Sequence, residues 1–166
     1  SVEDTGLLFP LANTTHVSVT NGTIQGSVYG GGKMAPVGED REFDGHAFGE
    51  NQGAVYVSIE GGTIEKNVFA GGMMADVYGV GNLDVSAGTI QGNVYGGNDI
   101  AGALSGTMSY EASNATAYDV TSHVTITGAP DIQGDVFGSG NGDYTYYTSV
   151  SAYDAASEPN KVLVCD

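Results

Sequence analysis

Apolar and polar residues alternate in short bursts along this chain, and the bursts return in the same order. Val17-Ser18-Val19, Val55-Tyr56-Val57-Ser58-Ile59, Leu83-Asp84-Val85 and Val124-Thr125-Ile126 each have the two-residue period of a half-buried strand. After each comes a second short strand with the pattern Ile-x-x-x-Val. The spacing between the two is nearly constant: Val19 to Ile24, Ile59 to Ile64 and Val85 to Ile90 are each 5 residues apart, and Ile126 to Ile132 is 6. Asn21-Gly22, Gly61-Gly62 and Ala87-Gly88 lie between them, and such pairs reach the positive φ of a turn. Glycine clusters at 30–32, 71–72 and 96–97 predict a second corner. A third segment follows it, as Met34-Ala35-x-Val37, Met74-Ala75-x-Val77 and Ile100-Ala101-x-Ala103.

These elements belong to a phrase that occurs four times. Gly22-Thr23-Ile24-Gln25-Gly26-Ser27-Val28-Tyr29-Gly30-Gly31 recurs at 62–71, 88–97 and, more degenerate, 130–139. Repetition at such periods signals a stacked array. The predicted fold is all-β, a parallel β-helix or β-solenoid with three short strands per coil. Stacking at about 4.8 Å per strand would put Ile24, Ile64, Ile90 and Ile132 in one inward column and Val28, Val68, Val94 and Val136 in another. Tyr29, Phe69, Tyr95 and Phe137 alternate to the other side, either as an outward aromatic ladder or turned in at the glycine corner.

The unit at 54–82 is minimal, since Ile64 to Ile90 is 26 residues. The longer gaps, 40 from Ile24 to Ile64 and 42 from Ile90 to Ile132, imply two lateral insertions, at about 38–53 and 104–121. In a competing register, Phe43-Asp44-Gly45-His46-Ala47-Phe48-Gly49 makes the first insertion a shortened coil. The whole chain, 1–166, reads as one domain. Residues 1–15 are a candidate N-terminal cap, 16–143 hold the repeats, and 144–166 are a candidate C-terminal cap or assembly segment. Strand-like Tyr144–Thr148 and Lys161–Cys165 in that last segment could pair with a neighbour's edge. No amphipathic helical pattern stands out in either terminal segment.

Charge narrows the partners. Four Lys and Arg against 20 Asp and Glu give a net charge of −16. Phosphate-directed nucleic-acid binding needs clustered cations, so it is excluded, and binding to anionic membranes is disfavoured. No apolar run is long enough to cross a bilayer as a helix. With Cys165 the only cysteine, no intrachain disulfide can form. No secretion leader opens the chain, as expected if one had been removed or lay outside this piece.

Candidate chemistry is sparse. Glu39, Asp40, Asp44 and His46 are the core of a polar cluster in the first insertion, with Arg41, Glu42 and Glu50, and form a candidate ligand loop. Carboxylates beside a histidine suit acid–base work or a metal, and a solvated loop is the plainer reading. Gly138-Ser139-Gly140-Asn141-Gly142-Asp143 and Gly97-Asn98-Asp99 loosely echo a calcium-binding glycine–aspartate repeat. Asp99, Asn141 and Asp143 are therefore the candidate calcium ligands, with plain turns favoured over an ion. His16 and His123 stand immediately before the first strand of their units, in structural, exposed places. A threonine ladder of the ice-binding kind is broken, because Thr125 has Ser58 and Asp84 as counterparts. Asn13, Asn21 and Asn114 begin Asn-x-Thr sequences that chance explains in so Asn- and Thr-rich a chain.

The phrase Gly-Gly-Thr-Ile-x-Gly-Asn-Val-Tyr-Gly-Gly, over roughly 16–140 and best at 54–98, resembles the repeats of large secreted or surface-anchored adhesin-like proteins of gut bacteria. The resemblance implies a right-handed parallel β-helix, in keeping with the general hand of parallel crossovers. It implies an extracellular or cell-surface setting and carries over no catalytic residue or cofactor. The expected function is a non-enzymatic structural or adhesive module, stacking end to end into a fibre through its coil ends or forming part of a longer array, with a glycan or matrix as further partner. A carbohydrate-active or glycan-binding β-helix with its site on the insertions is the alternative, and a phage tail or receptor-binding fibre is a third.

Overall fold

The computed structural model describes residues 12–38, 53–102, 104, 108–110, 116–118 and 122–164. In chain order the elements are β1 (Thr14–Val19), β2 (Thr23–Ile24), β3 (Val28–Tyr29), β4 (Gly53–Ile64), β5 (Val68–Phe69), β6 (Gly79–Ile90), β7 (Val94–Tyr95), β8 (Met108–Tyr110), β9 (Thr116–Tyr118), β10 (Ser122–Ile126), β11 (Asp131–Ile132), β12 (Val136–Phe137), β13 (Thr145–Tyr147), α1 (Val150–Ala155) and β14 (Lys161–Leu163). The described chain is thus all-β in character, with parallel pairing dominant and one short helix among the described residues.

One parallel sheet runs β1-β4-β6-β10, with β2 pairing β4 and β11 pairing β6. A second runs β12-β7-β5-β3. The repeat sets both registers. Ile24 pairs with Ile64, Ile64 with Ile90, and Ile132 with Ile90. Val28, Val68, Val94 and Val136 align in the same way across the second sheet. A third line consists of isolated parallel bridges, Ala12 to Val37, Val37 to Val77 and Val77 to Leu104. One apolar cluster joins all three lines: Val57, Ile64, Leu83 and Ile90 meet Val68 and Val94 of the second sheet and Val77 of the third line.

The first and second predicted strands of the middle units are continuous: β4 and β6 each run 12 residues. The predicted turn survives as a register shift between Ile59 and Thr63. Gly62 and Gly88 sit there at φ 80° and 92°, so β4 and β6 bend without leaving the ladder, while Gly22, at φ 86°, lies in the break between β1 and β2. The third segment shrinks in the other direction. Met34–Ala35 and Met74–Ala75 lie in bends, and only Val37 and Val77 make bridges, while in the next unit the bridge falls on Leu104.

The aromatic column stacks face to face. Centroids are 5.0 Å apart for Tyr29–Phe69, 4.8 Å for Phe69–Tyr95 and 5.0 Å for Tyr95–Phe137. Phe69 is fully buried and Tyr95 nearly so, which settles the open orientation: the middle rings are enclosed. Below them a side-chain ladder repeats. Ser27 Oγ accepts from the Asn67 N–H, Asn67 Oδ1 from the Asn93 N–H, and Asn93 Oδ1 from the Asp135 N–H.

The second insertion contains the antiparallel pair β8–β9, as a lateral hairpin requires. The first insertion, at 39–52, lies outside the described residues. In the C-terminal segment both strand-like stretches form strands, but they pair with each other, in parallel, as β13–β14. The crossover between them is α1, which the sequence reading did not anticipate. Ser149 caps it by accepting from the Ala152 N–H, and Lys161 Nζ donates to the Tyr153 and Ala156 carbonyls at its end.

Candidate functional site

The most connected polar group is Asp99, at the corner after β7. In the two preceding units this corner is built of small residues, Gly31-Gly32 and Gly71-Gly72. In the third unit Asn98 stands at the position of Gly32 and Gly72, and Asp99 at that of Lys33 and Met73. Asn98 fills the space that Gly71 leaves: a Cβ there would lie 1.8 Å from Asn98 Oδ1. The Asn98 amide instead accepts from the Gly72 N–H at 2.9 Å and donates to the Ala75 carbonyl at 3.2 Å. Both of its ends thus serve buried backbone.

Asp99 is only 7% exposed, a position where a carboxylate needs partners. It has three. The Tyr29 hydroxyl donates to Oδ2 at 2.7 Å, and the Tyr144 hydroxyl and Asn141 amide donate to Oδ1 at 3.0 and 3.1 Å. The group ties the first unit, the third unit and the segment after β12 together. Burial, reinforced by the hydrogen bond to Asp99 and by its charge, pushes the Tyr29 hydroxyl well above the ordinary tyrosine value. Burial and then the Asp99 charge push Tyr144 up to about 12. Both are neutral donors at any physiological pH.

Beside Asp99 lies a cleft of about 320 Å³, lined by Asn98, Asp99, Leu104, Ser122, Asn141 and Tyr146, among others. The Tyr146 hydroxyl donates to the Ile100 carbonyl at its rim. The arrangement offers hydrogen-bonding edges. Among the described residues no three His, Cys, Asp or Glu side chains converge as a metal site.

Of the candidate calcium ligands, Asp99 and Asn141 do come together, but as acceptor and donor. Asp143 points elsewhere: its N–H donates to Asn141 Oδ1 at 3.2 Å and its carboxylate accepts from Asn160 at 2.8 Å. The candidate ligand loop, Glu39, Asp40, Asp44 and His46, lies outside the described residues. His16 and His123 are exposed and share one row of the first sheet, through Tyr56 and Asn82. His16 stacks on Tyr56 with ring centroids 4.7 Å apart. Tyr29 and Tyr144 were not singled out from the sequence as partners of Asp99. The available signal was the Tyr-Phe alternation of the aromatic column, in which Tyr29 carries a hydroxyl that Phe69 lacks.

Searches against protein families, curated proteins and solved structures give no match to this chain.

Proposed function

We propose that this chain is a parallel β-solenoid, right-handed and three-sided, that serves as a non-enzymatic structural or adhesive module on a bacterial surface or outside the cell. The observation that carries the reading is the in-register repetition of one phrase across three successive junctions. Backbone pairing, the Ser27–Asn67–Asn93 ladder and the aromatic column all repeat with it. Such an array gains rigidity and length by adding units, and it presents flat faces. The outer row His16, Tyr56, Asn82 and His123 is one such face, polar and partly aromatic, suited to a glycan or matrix surface.

The tyrosine–aspartate cluster around buried Asp99 supports the same reading. Its tyrosines are held neutral and act as donors to a carboxylate, so they stitch units together. The test is to incubate the protein with immobilised glycans and matrix proteins and with soluble acidic and neutral polysaccharides. Retention on a solid phase without release of reducing ends supports the module. Turnover of any polysaccharide overturns it in favour of an enzyme.

A further inference from the structure

The two ends of the repeat array differ. Ile126, Val136 and Phe137, in β10 and β12, continue the inward and aromatic columns but are 42%, 47% and 41% exposed. At the opposite end the counterparts of Ile126 and Val136, Val19 and Val28, are 7% and 6% exposed. The backbone is open at the same place. The carbonyls of Ile24, Ile64 and Ile90 accept from the N–H groups of Glu65, Gln91 and Gln133, each at 2.9 Å. The N–H groups of Val28, Val68 and Val94 donate to the carbonyls of Asn67, Asn93 and Asp135, each at 2.9 Å. Among the described residues the Ile132 carbonyl and the Val136 N–H lack the partners their counterparts have.

The third line is offset from the two sheets by one unit. It begins a step early, with Ala12 pairing Val37, and ends at Leu104 of the third unit. The fourth unit's counterpart, Thr145, has left to pair with Lys161 in β14. The cleft of about 320 Å³ borders Leu104, Ser122 and Asn141, where a fifth member of that line would sit.

We infer that this open end is a docking surface for a second copy of the same chain, seated head to tail. Its Ala12 enters the cleft beside Leu104, and its first unit continues both sheets below β10 and β12. The inference rests on the solenoid reading and names its partner. The register selects the occupant: each junction inside the molecule already joins one copy of the phrase to the next. The Gln25 N–H and Ser27 carbonyl of the second copy match the Ile132 carbonyl and Val136 N–H. Asp135 meets the Ser27 N–H as Asn93 meets that of Asp135. Tyr29 stacks on Phe137 and continues the alternation of Tyr and Phe. Val19 and Val28 are already buried in the single chain, and two chains of net charge −16 repel. The association is therefore weak and concentration-dependent.

Cysteine pairing tests the polarity. In a Cys165→Ser background, Asp135→Cys protein is mixed with Ser27→Cys protein at high concentration and oxidised mildly. Mixed disulfides forming faster than either homodimer are the expected result. Asp135→Cys homodimers forming as fast as mixed ones, or no disulfide at all, overturn head-to-tail docking. Sedimentation of the Phe137→Asp variant, at a temperature where circular dichroism shows it folded, should show at least tenfold weaker association; undiminished association overturns the surface assignment. Circular dichroism on the wild-type chain separates the two readings. A β-rich chain that never associates overturns the docking alone, whereas a chain without β-structure overturns the solenoid itself.

Discussion

The hydroxyl of Tyr29 donates to the carboxylate of Asp99 at 2.7 Å, across 70 positions of sequence. The bond spans from the first repeat unit to the third, on the same side as the aromatic column. Tyr144 and Asn141 join it from the segment after the fourth unit. Asp99 is thereby a fastening point for most of the array.

Removing the carboxylate should therefore cost more than a turn residue normally does. Asp99→Ala leaves three donors without their acceptor, and a loss of about 1–3 kcal/mol is expected for stranding buried polar groups. Asp99→Asn should cost part of that, because an amide nitrogen replaces one accepting oxygen. Urea denaturation measures both. Chelator should leave the melting temperature of the wild type unchanged, since the Asp99 oxygens already accept from three protein donors.

The tyrosines set an alkaline limit. Well below pH 10 they are neutral in both folded and unfolded chains and add no pH dependence. Above it, unfolded tyrosines ionise first, because the folded values are raised, to about 12 for Tyr144 and higher for Tyr29. The unfolded state then binds fewer protons, so stability falls as pH climbs from 10 toward those values. Denaturation at pH 9 and 11 should show this fall, and the Tyr29→Phe/Tyr144→Phe double variant should show less of it.

Position along the column should decide the cost of a core truncation. Val94 and Val136 are paired members of one column, yet Val94 is fully buried and Val136 is 47% exposed. Val94→Ala should cost about 1.5–3 kcal/mol, and Val136→Ala less than about 1 kcal/mol. Ile64→Asp and Val94→Asp, which put an unpaired charge inside, should unfold the array. Thermal melts of the four variants check the gradient.

Glycines divide just as sharply. A Cβ at Gly79 would lie 1.6 Å from the Gly53 carbonyl oxygen, where neighbouring strands approach backbone to backbone. Gly79→Ala should cost at least about 2 kcal/mol. Gly26 has nothing within 4 Å of an added Cβ, so Gly26→Ala should be neutral to within about 0.5 kcal/mol. Parallel melts of the two proteins decide it.

Much of the fold was legible in the sequence, because a repeated phrase states its own register. Ile24, Ile64, Ile90 and Ile132 align as the spacing required, and so do the valine and aromatic columns. The third line was less legible: bends at Met34 and Met74 reduce it to single bridges, and nothing in Met-Ala-x-Val separates a bridge from a strand. Helix α1 escaped because six residues with none buried carry no periodic signal. The tyrosine–aspartate cluster was illegible for a different reason. Asp99 gains its partners only when the first unit, the third and the segment after β12 are stacked, and no local spacing encodes that.

The central claim is that the two sheets and the third line enclose one core. Methyl NOE spectroscopy on a chain labelled at Ile, Leu and Val tests it most directly. The account predicts contacts from Ile64 to Ile24 and Ile90, and from Val77 to side chains of both sheets. Contacts from Val77 to one sheet alone, or no contact between Ile64 and Ile90, would contradict it.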